Sequence, residues 1–288
     1  MLCIAGTVPA DDFPFVAGEV GFGGGKLVIG AFSITVNRGT AALLAAAVAA
    51  AQTLERPAPV AYLVGDTGTG KGSRLLYQQM TEALPRVRPD VITFHYLQPI
   101  VHWHRTLQAV LGKLVPRPVI IADAGFMYAA KMSGEAPLYD LFTPDVGELA
   151  FLADEEAPHP FYTRGFILHE DNRVPDLIGR AYSHRNAARH LLVKGEKDYL
   201  ADKSGILEMV DTPVEEALEA MGGTGDTLTG LVSVLIDFGM PIREAAVAAM
   251  RTNRLAGRLV RPTPATQVIE MVKHIPEALR QVMGKKIT

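Results

Sequence analysis

Between Met221 and Gly230 the chain reads Met-Gly-Gly-Thr-Gly-Asp-Thr-Leu-Thr-Gly, and from Leu231 to Phe238 it turns apolar. Small residues opening a helix remove the Cβ atoms that would block an approaching anion, and the N–H groups of the first helical turn carry the positive end of the helix dipole. The chemistry implied is phosphate binding. A carboxylate there repels phosphate, so Asp226 needs a separate task. As a general base it would take a proton from a hydroxyl whose oxygen attacks phosphorus, while the amides hold the charge that develops. A plain N-cap on a tight turn is the competing explanation.

The stretch GGTGDTLTG, residues 222–230, resembles the anion-hole motif of the ribokinase-like superfamily. It is most similar to the carbohydrate-kinase domain of ATP- or ADP-dependent NAD(P)H-hydrate dehydratases, and the order of motifs extends the resemblance from about Gly24 to Gly257. The resemblance implies a ribokinase-like three-layer α/β/α domain that binds ATP or ADP with Mg²⁺. It also implies phosphorylation of the hydrated nicotinamide ring, followed by loss of phosphate. Asp226 would be the catalytic carboxylate, with Gly222, Gly223, Thr224 and Gly225 at the anion.

Further motifs follow in the family's order. Thr143-Pro144-Asp145-Val146-Gly147-Glu148 resembles the TP-x-x-GE segment, which assigns Glu148 to magnesium waters or phosphate; a helix-start signal with dipole compensation explains the same residues more plainly. Asp145 stands where the dehydratases show histidine and the sugar kinases asparagine. Leu192-Val193-Lys194-Gly195 resembles the element beside the nucleotide, so Lys194 would meet phosphate. Asp123 closes the apolar run from Val119 at the carboxyl edge of the sheet, where ligands of open α/β sheets gather, and would hold substrate or metal or else cap a helix. Asn37-Arg38-Gly39-Thr40, before an alanine-rich helix, resembles the family's substrate-facing helix start, which would turn Asn37 and Arg38 toward substrate; an exposed loop arginine is the plainer explanation. Asn253 replaces the histidine of an H-G-x-A-G segment on the nucleotide side.

Two features depart from this pattern. Gly65-Asp66-Thr67-Gly68-Thr69-Gly70-Lys71-Gly72-Ser73 nearly spells a P-loop, but Gly72 stands where a magnesium-binding hydroxyl belongs, and Ser73 is displaced by about 100° around the helix. With Asp123 as a Walker-B imitation, a P-loop NTPase is a rival reading. The dehydratases' G-P-G-L-G turn is missing. In its place, after Val91 to Thr93, stand Phe94, His95 and Tyr96, whose bulk is expected to fill ligand space. His95 is placed at the substrate, by stacking or packing. A metal site built from His95, His102 and His104 is the other use of these imidazoles, but a helix there would separate His102 from His104, and no local carboxylate or cysteine completes a set.

The elements that must position these residues alternate between apolar runs and helical spacings, as in a mostly parallel sheet covered by helices. Strands are expected at 26–32, 60–64, 91–95, 119–123, 140–143, 191–194 and 199–202. Helices are expected at 40–52, 73–84, 102–114, 146–153, 175–190, 225–238 and 242–260, with 264–283 also helical. No linker divides the chain, so residues 1–288 read as one domain, with 1–23 as an N-terminal extension and 154–172 as a surface loop or lid.

The composition agrees with small-molecule chemistry. Hydrophobic residues make up 48% and charged residues 20% of 288, which excludes a disordered or fibrous chain. With 28 basic and 31 acidic residues and no basic run, neither nucleic acid nor an anionic membrane is an expected partner. Cys3 is the sole cysteine, there is no basic secretory leader, and no apolar run reaches the length of a membrane span, so a cytoplasmic protein is expected. The partners implied are a nucleotide and a small hydroxyl-bearing substrate, with a homo-oligomer suggested by resemblance alone. Two further readings stay open: a sugar or vitamin-precursor kinase that stops after phosphorylation, and a catalytically silent nucleotide-binding protein.

Overall fold

A computed structural model of the chain describes residues 1–155 and 173–284. The expected lid at 154–172 therefore lies almost wholly outside the described residues. Strands β1 (Leu2–Val8), β6 (Val60–Gly65), β7 (Val91–His95), β8 (Val119–Asp123), β9 (Leu141–Phe142) and β10 (His190–Val193) run parallel in the centre of a nine-stranded sheet. Antiparallel β11 (Asp198–Asp202) and β12 (Gly205–Val210) extend one side, and antiparallel β2 (Val16–Glu19) closes the other. The order is β12-β11-β10-β9-β8-β7-β1-β6-β2. A smaller sheet of β3 (Gly21–Gly23), β4 (Lys26–Ile29) and β5 (Phe32–Thr35) stands apart.

The period of two along each central strand feeds two separate apolar cores. On β1, Leu2, Ile4 and Val8 enter one core while Cys3 and Ala5 enter the other; Ala61 and Leu63 on β6 face away from Tyr62 and Val64 in the same way. The first core holds α1 (Thr40–Thr53), α7 (Thr224–Asp237), α8 (Ile242–Leu259), α9 (Val268–Val272) and α10 (Ile275–Met283). The second holds α2 (Lys71–Val87), α3 (Val101–Leu111), α4 (Gly125–Ser133), α5 (Val146–Ala153) and α6 (Val174–Ser183). This is the expected three-layer α/β/α architecture. Helix α1 is buried at every position except Gln52, so its alanines serve close packing between the sheet and other helices.

Several elements differ from expectation. Residues 1–23 are not an extension, because β1 is fully buried between β6 and β7 and β2 closes the sheet beside β6. The strand expected at 26–32 is a hairpin, turned at Gly30 with φ +57°, because glycine there relieves the left-handed turn. The helix expected at 175–190 ends at Ser183, and the chain then takes a left-handed step at Arg185 into β10. The helical run at 264–283 is split in two, with Pro276 inside the first turn of α10, where its missing N–H is tolerated. Helix α4 and strand β12 carried no recognised pattern. No helix among the described residues is long and apolar enough to cross a membrane.

Candidate active site

Parallel strands end on one edge, and that edge collects the polar residues. His95 ends β7, Asp123 ends β8, Thr143 follows β9 and Lys194 follows β10, where it bridges in parallel to Asp145. Helix α7 lies across this edge with Asp226, Thr229 and Ser233 spaced i, i+3 and i+7 on the side facing it. Thr229 donates to Asp123 Oδ2 at 2.6 Å, and Ser233 lies 2.8 Å from the Thr93 hydroxyl. That polar stripe on an otherwise apolar helix was the sequence signal for docking onto the strand ends, and it passed unnoticed.

Asp226 sits in the first turn of α7 with both oxygens engaged. Oδ2 accepts from the Gly39 N–H at 2.7 Å, and Oδ1 lies 3.0 Å from His95 Nε2. Burial works to raise the Asp226 carboxyl, but the His95 contact, the Lys194 charge and the Gly39 amide outweigh it and hold the carboxyl below its usual range. It is therefore a carboxylate near neutrality. No side chain caps α7, and the N-cap Gly223 has φ +102°. A Cβ on Gly225 would stand 3.4 Å from Lys194 Cδ, and one on Gly222 would stand 3.7 Å from Arg38 Cδ. Two cationic side chains thus flank the uncapped turn.

Lys194 Nζ donates to both oxygens of buried Asp123, at 2.8 and 2.9 Å, from a half-buried position. Burial opposes the ammonium charge, yet Asp123 first, then Glu148 and Asp226, hold its pKa above the usual lysine value. Lys194 is thus locked to Asp123, and the positive charge it brings to the turn is fixed in place. Half-buried Glu148 closes a capping box with Asp145, accepting the Asp145 N–H at 2.8 Å while Asp145 accepts the Glu148 N–H at 2.7 Å. Burial pushes the Glu148 carboxyl up to about 8, with Lys194 opposing that rise. Asn253 uses its whole amide on α7: its nitrogen donates to the Thr224 carbonyl at 3.0 Å and its oxygen accepts from Thr227 at 2.7 Å. It braces the first turn of α7. Asn37 and Arg38 are exposed at the mouth, and Arg38 has no charged partner among the described residues.

The histidines separate. Phe94 points into the second core and stacks on Phe126 at 4.2 Å, so it fills no ligand space. His95, expected at the substrate, is fully buried against Asp226. Tyr96 alone of the three is exposed, at 48%, with φ +57° and its ring edge-on to His95. His104 is buried against Tyr139 and Ser133, with burial lowering its pKa to about 4, while His102 is exposed on the helix expected to separate them. Among the described residues, His95, Asp123 and Asp226 bring ligand atoms within 4.8 Å of one another, but each is already hydrogen-bonded and Lys194 supplies the cation.

The rival glycine turn is filled from within. Asp66 accepts the N–H groups of Gly68, Gly70 and Ser73 at 2.8 to 3.0 Å and the Ser73 hydroxyl at 2.7 Å. The amides that would cradle phosphate in a P-loop already hold a carboxylate. Gly72 is fixed by packing, since a Cβ there would stand 2.0 Å from the Gly65 carbonyl oxygen. A P-loop reading therefore fails on geometry as well as on the missing hydroxyl.

Comparison with known proteins gives the same picture. The family profile of NAD(P)H-hydrate dehydratase matches residues 97–277, more than half of the chain. An uncharacterized protein of Methanocaldococcus jannaschii is 41% identical over 220 residues, covering 76% of this chain and 90% of that protein. The bifunctional NAD(P)H-hydrate repair enzyme Nnr of Pyrobaculum aerophilum is 24% identical over 187 residues, which is 63% of this chain and about a third (33%) of that enzyme. The ADP/ATP-dependent NAD(P)H-hydrate dehydratase of Bacillus subtilis, co-crystallized with ATP/Mg²⁺, shares the fold with a TM-score of 0.56 at 14% identity, covering 98% of this chain and 89% of that one. With its ribokinase-like architecture and a match running from Leu97 through the Asp226 turn to Glu277, this chain belongs to the carbohydrate-kinase family described as NAD(P)H-hydrate dehydratase.

Proposed function

We propose that the protein transfers a phosphoryl group from ATP or ADP to a small hydroxyl-bearing substrate, and that this substrate is the hydrated nicotinamide ring of NAD(P)H. The observation that carries the reading is Asp226: a carboxyl group held below its usual range and bonded through both oxygens, in the first turn of a helix whose N-terminus no side chain caps. The uncapped amides around Gly222 to Gly225 would hold the transferring phosphoryl group, and the exposed guanidinium of Arg38 would add charge from the opposite side. Asp226 would orient the attacking hydroxyl and receive its proton. Phosphate ester formation turns that hydroxyl into a leaving group, and loss of phosphate restores the reduced ring. Lys194 keeps the turn positive while Asp123 holds it in place; Asn253 holds the turn's backbone, and Asn37 lies on the substrate side.

The donor set also fits Mg²⁺ held through water. Glu148 uses one carboxylate oxygen in its capping box, and the other accepts no hydrogen bond from the described residues. Bound there with the nucleotide, the ion would neutralise phosphate charge.

A kinase that stops at the phosphate ester is the second reading, favoured by Tyr96 standing where the dehydratases have a glycine turn. Incubation with hydrated NADH and either ATP or ADP separates the two. Recovery of reduced-nicotinamide absorbance with equimolar free phosphate is expected. A stable phosphoester would favour the kinase, and nucleotide binding without turnover on any hydroxyl substrate would leave a silent binding protein.

A further inference from the structure

The proposed function leaves one motif unused, the glycine turn at 65–73, and the hydrogen bonds of that turn lead back to the site. Ser73, fully buried on α2, donates its hydroxyl hydrogen to Asp66 Oδ2 at 2.7 Å. With that hydrogen committed, the same hydroxyl oxygen accepts the Gln98 N–H at 3.0 Å. Asp66 is held in turn by the amides of Gly68, Gly70 and Ser73. The self-filled loop is thus an anchor for the segment that follows β7.

That segment is pinned along its length. The Tyr96 carbonyl accepts from the Thr7 hydroxyl at 2.9 Å, and the Gln98 carbonyl accepts from the Tyr77 hydroxyl at 3.1 Å. Between them the Leu97 carbonyl oxygen packs so closely on α4 that a Cβ on Gly125 would stand 2.6 Å from it. These restraints hold Tyr96 at φ +57°, a left-handed conformation that a bulky residue keeps only where its surroundings over-determine it. Its ring ends beside both partners of Asp226: a Cβ on Gly39 would stand 3.5 Å from Tyr96 Cε2, and the ring centroid lies 4.3 Å from that of His95. Partial burial, then the charges of Asp226, Glu148 and Asp123, push the phenol above its ordinary value, so the ring is uncharged. Nearly half of its surface is nonetheless open. An exposed aromatic face held still beside the reacting carboxyl group is a platform for a flat ligand.

We infer that Tyr96 is a specificity-determining residue that stacks on the flat part of the substrate, and that Ser73 is a positioning residue that keeps the ring in place. The inference rests on the function proposed above, because it takes the hydroxyl that meets Asp226 to belong to a ring-bearing substrate. Water added across one double bond of a dihydronicotinamide leaves the other conjugated with the carboxamide. Half of the hydrated ring therefore stays flat and can lie on a tyrosine, while the hydroxyl on the saturated half is left free for Asp226. A contact to the part of the ring that does not react is made equally before and during phosphoryl transfer, so it acts on KM and not on kcat.

Nuclear magnetic resonance of the full chain with ¹³C-labelled tyrosine rings tests the contact without any turnover. Titration with reduced nicotinamide mononucleotide, a flat ring, should shift the Tyr96 ring signal, which Tyr96→Phe identifies by its loss. A Tyr96 signal that stays in place overturns the stacking, whether or not the probe binds elsewhere. Kinetics with hydrated NADH and ATP or ADP then test both residues. Tyr96→Phe should keep the parent KM, and Tyr96→Leu should raise it about 2- to 10-fold with kcat preserved. Ser73→Ala removes the acceptor for the Gln98 N–H, so it should raise KM in the same direction and add nothing in the Tyr96→Leu background. Equal KM values in the Phe and Leu variants would reduce the ring to bulk and overturn the stacking. An unmoved KM in Ser73→Ala, or an effect that persists in the Tyr96→Leu background, would make Ser73 a support of the fold alone and overturn its positioning role. If the probe moves the Tyr96 signal but hydrated NADH is not turned over, the proposed function fails and the stacking stands.

Discussion

In the proposed reaction Asp226 would accept a proton and tolerate an anion nearby, and its two fixed hydrogen bonds hold the carboxyl group in one place for both. The Gly39 amide holds one oxygen and His95 meets the other, which fixes the orientation of the carboxyl group. Asp226→Asn keeps the size and the acceptor for Gly39 but cannot take a proton. Turnover should fall by about 10²- to 10⁴-fold, with nucleotide affinity preserved by calorimetric titration; unchanged turnover removes Asp226 from the mechanism. Tyr96 makes a different case at this scale. A tyrosine at φ +57° costs about 1–2 kcal/mol relative to an unstrained residue, and its ring is half exposed beside the carboxylates. Tyr96→Gly should therefore leave the urea midpoint close to the parent's or above it, while raising the KM of a planar substrate several-fold. A KM that does not move would show that the ring serves only to cover His95. Asp226 was legible in the sequence because glycines and an aspartate at a helix start are a local pattern. The burial of His95 was not, because its partners lie at residues 40, 123 and 226 and only the folded sheet brings them together.

At the scale of elements, two helices begin with glycine-rich turns, and what fills each turn separates them. Helix α2 supplies its own anion, Asp66; α7 supplies none. Lys71→Ala should consequently weaken nucleotide binding far less than Gly225→Val, whose branched side chain would press on the Lys194 stem; the reverse ranking would restore the P-loop. Burial tends to raise the Asp66 carboxyl, but the Ser73 hydroxyl and the amides of Ser73, Gly70 and Gly68 hold it below its usual range. Its folded value lies under its unfolded one, so its contribution to stability is fully present above about pH 4 and is lost as the pH falls through the folded value. Asp66→Asn should destabilise the protein by about 1–3 kcal/mol at neutral pH, and the gap to the parent should narrow in acid. A gap independent of pH would mean that the carboxylate's charge plays no part. The near P-loop spelling was misleading because a sequence shows which amides a loop offers but not whether its own aspartate turns inward to meet them.

Across the whole molecule, the site joins the N-terminal half to the C-terminal half through one helix pair. Helix α1 begins at Gly39 and Thr40, which meet Asp226 and His95, and Asp226 stands in the first turn of α7; the spacing between these helices therefore sets the distances around Asp226. That spacing rests on Gly230. A Cβ there would stand 2.2 Å from the Leu43 carbonyl oxygen and 3.2 Å from the Ala47 nitrogen, so the obstruction is backbone rather than a side chain that can swing aside. The alanines of α1 serve the same close approach, which is why this helix was easy to place from its composition while its depth in the fold was not. Strand β1 was missed for a related reason. Seven buried residues at the chain start carry no polar alternation to mark them, and they become central only when β6 and β7 pair on either side. Gly230→Ala should force α7 away from α1, costing about 1–3 kcal/mol as overpacking and lengthening the bond from Gly39 to Asp226. In amide spectra the Gly39 N–H, shifted downfield by a short bond to a carboxylate, should move upfield together with a fall in turnover. If the denaturation midpoint drops while the Gly39 resonance and kcat stay in place, the helix pair supports the fold without setting the site, and the positions of Asp226 and His95 must be fixed by the sheet edge alone.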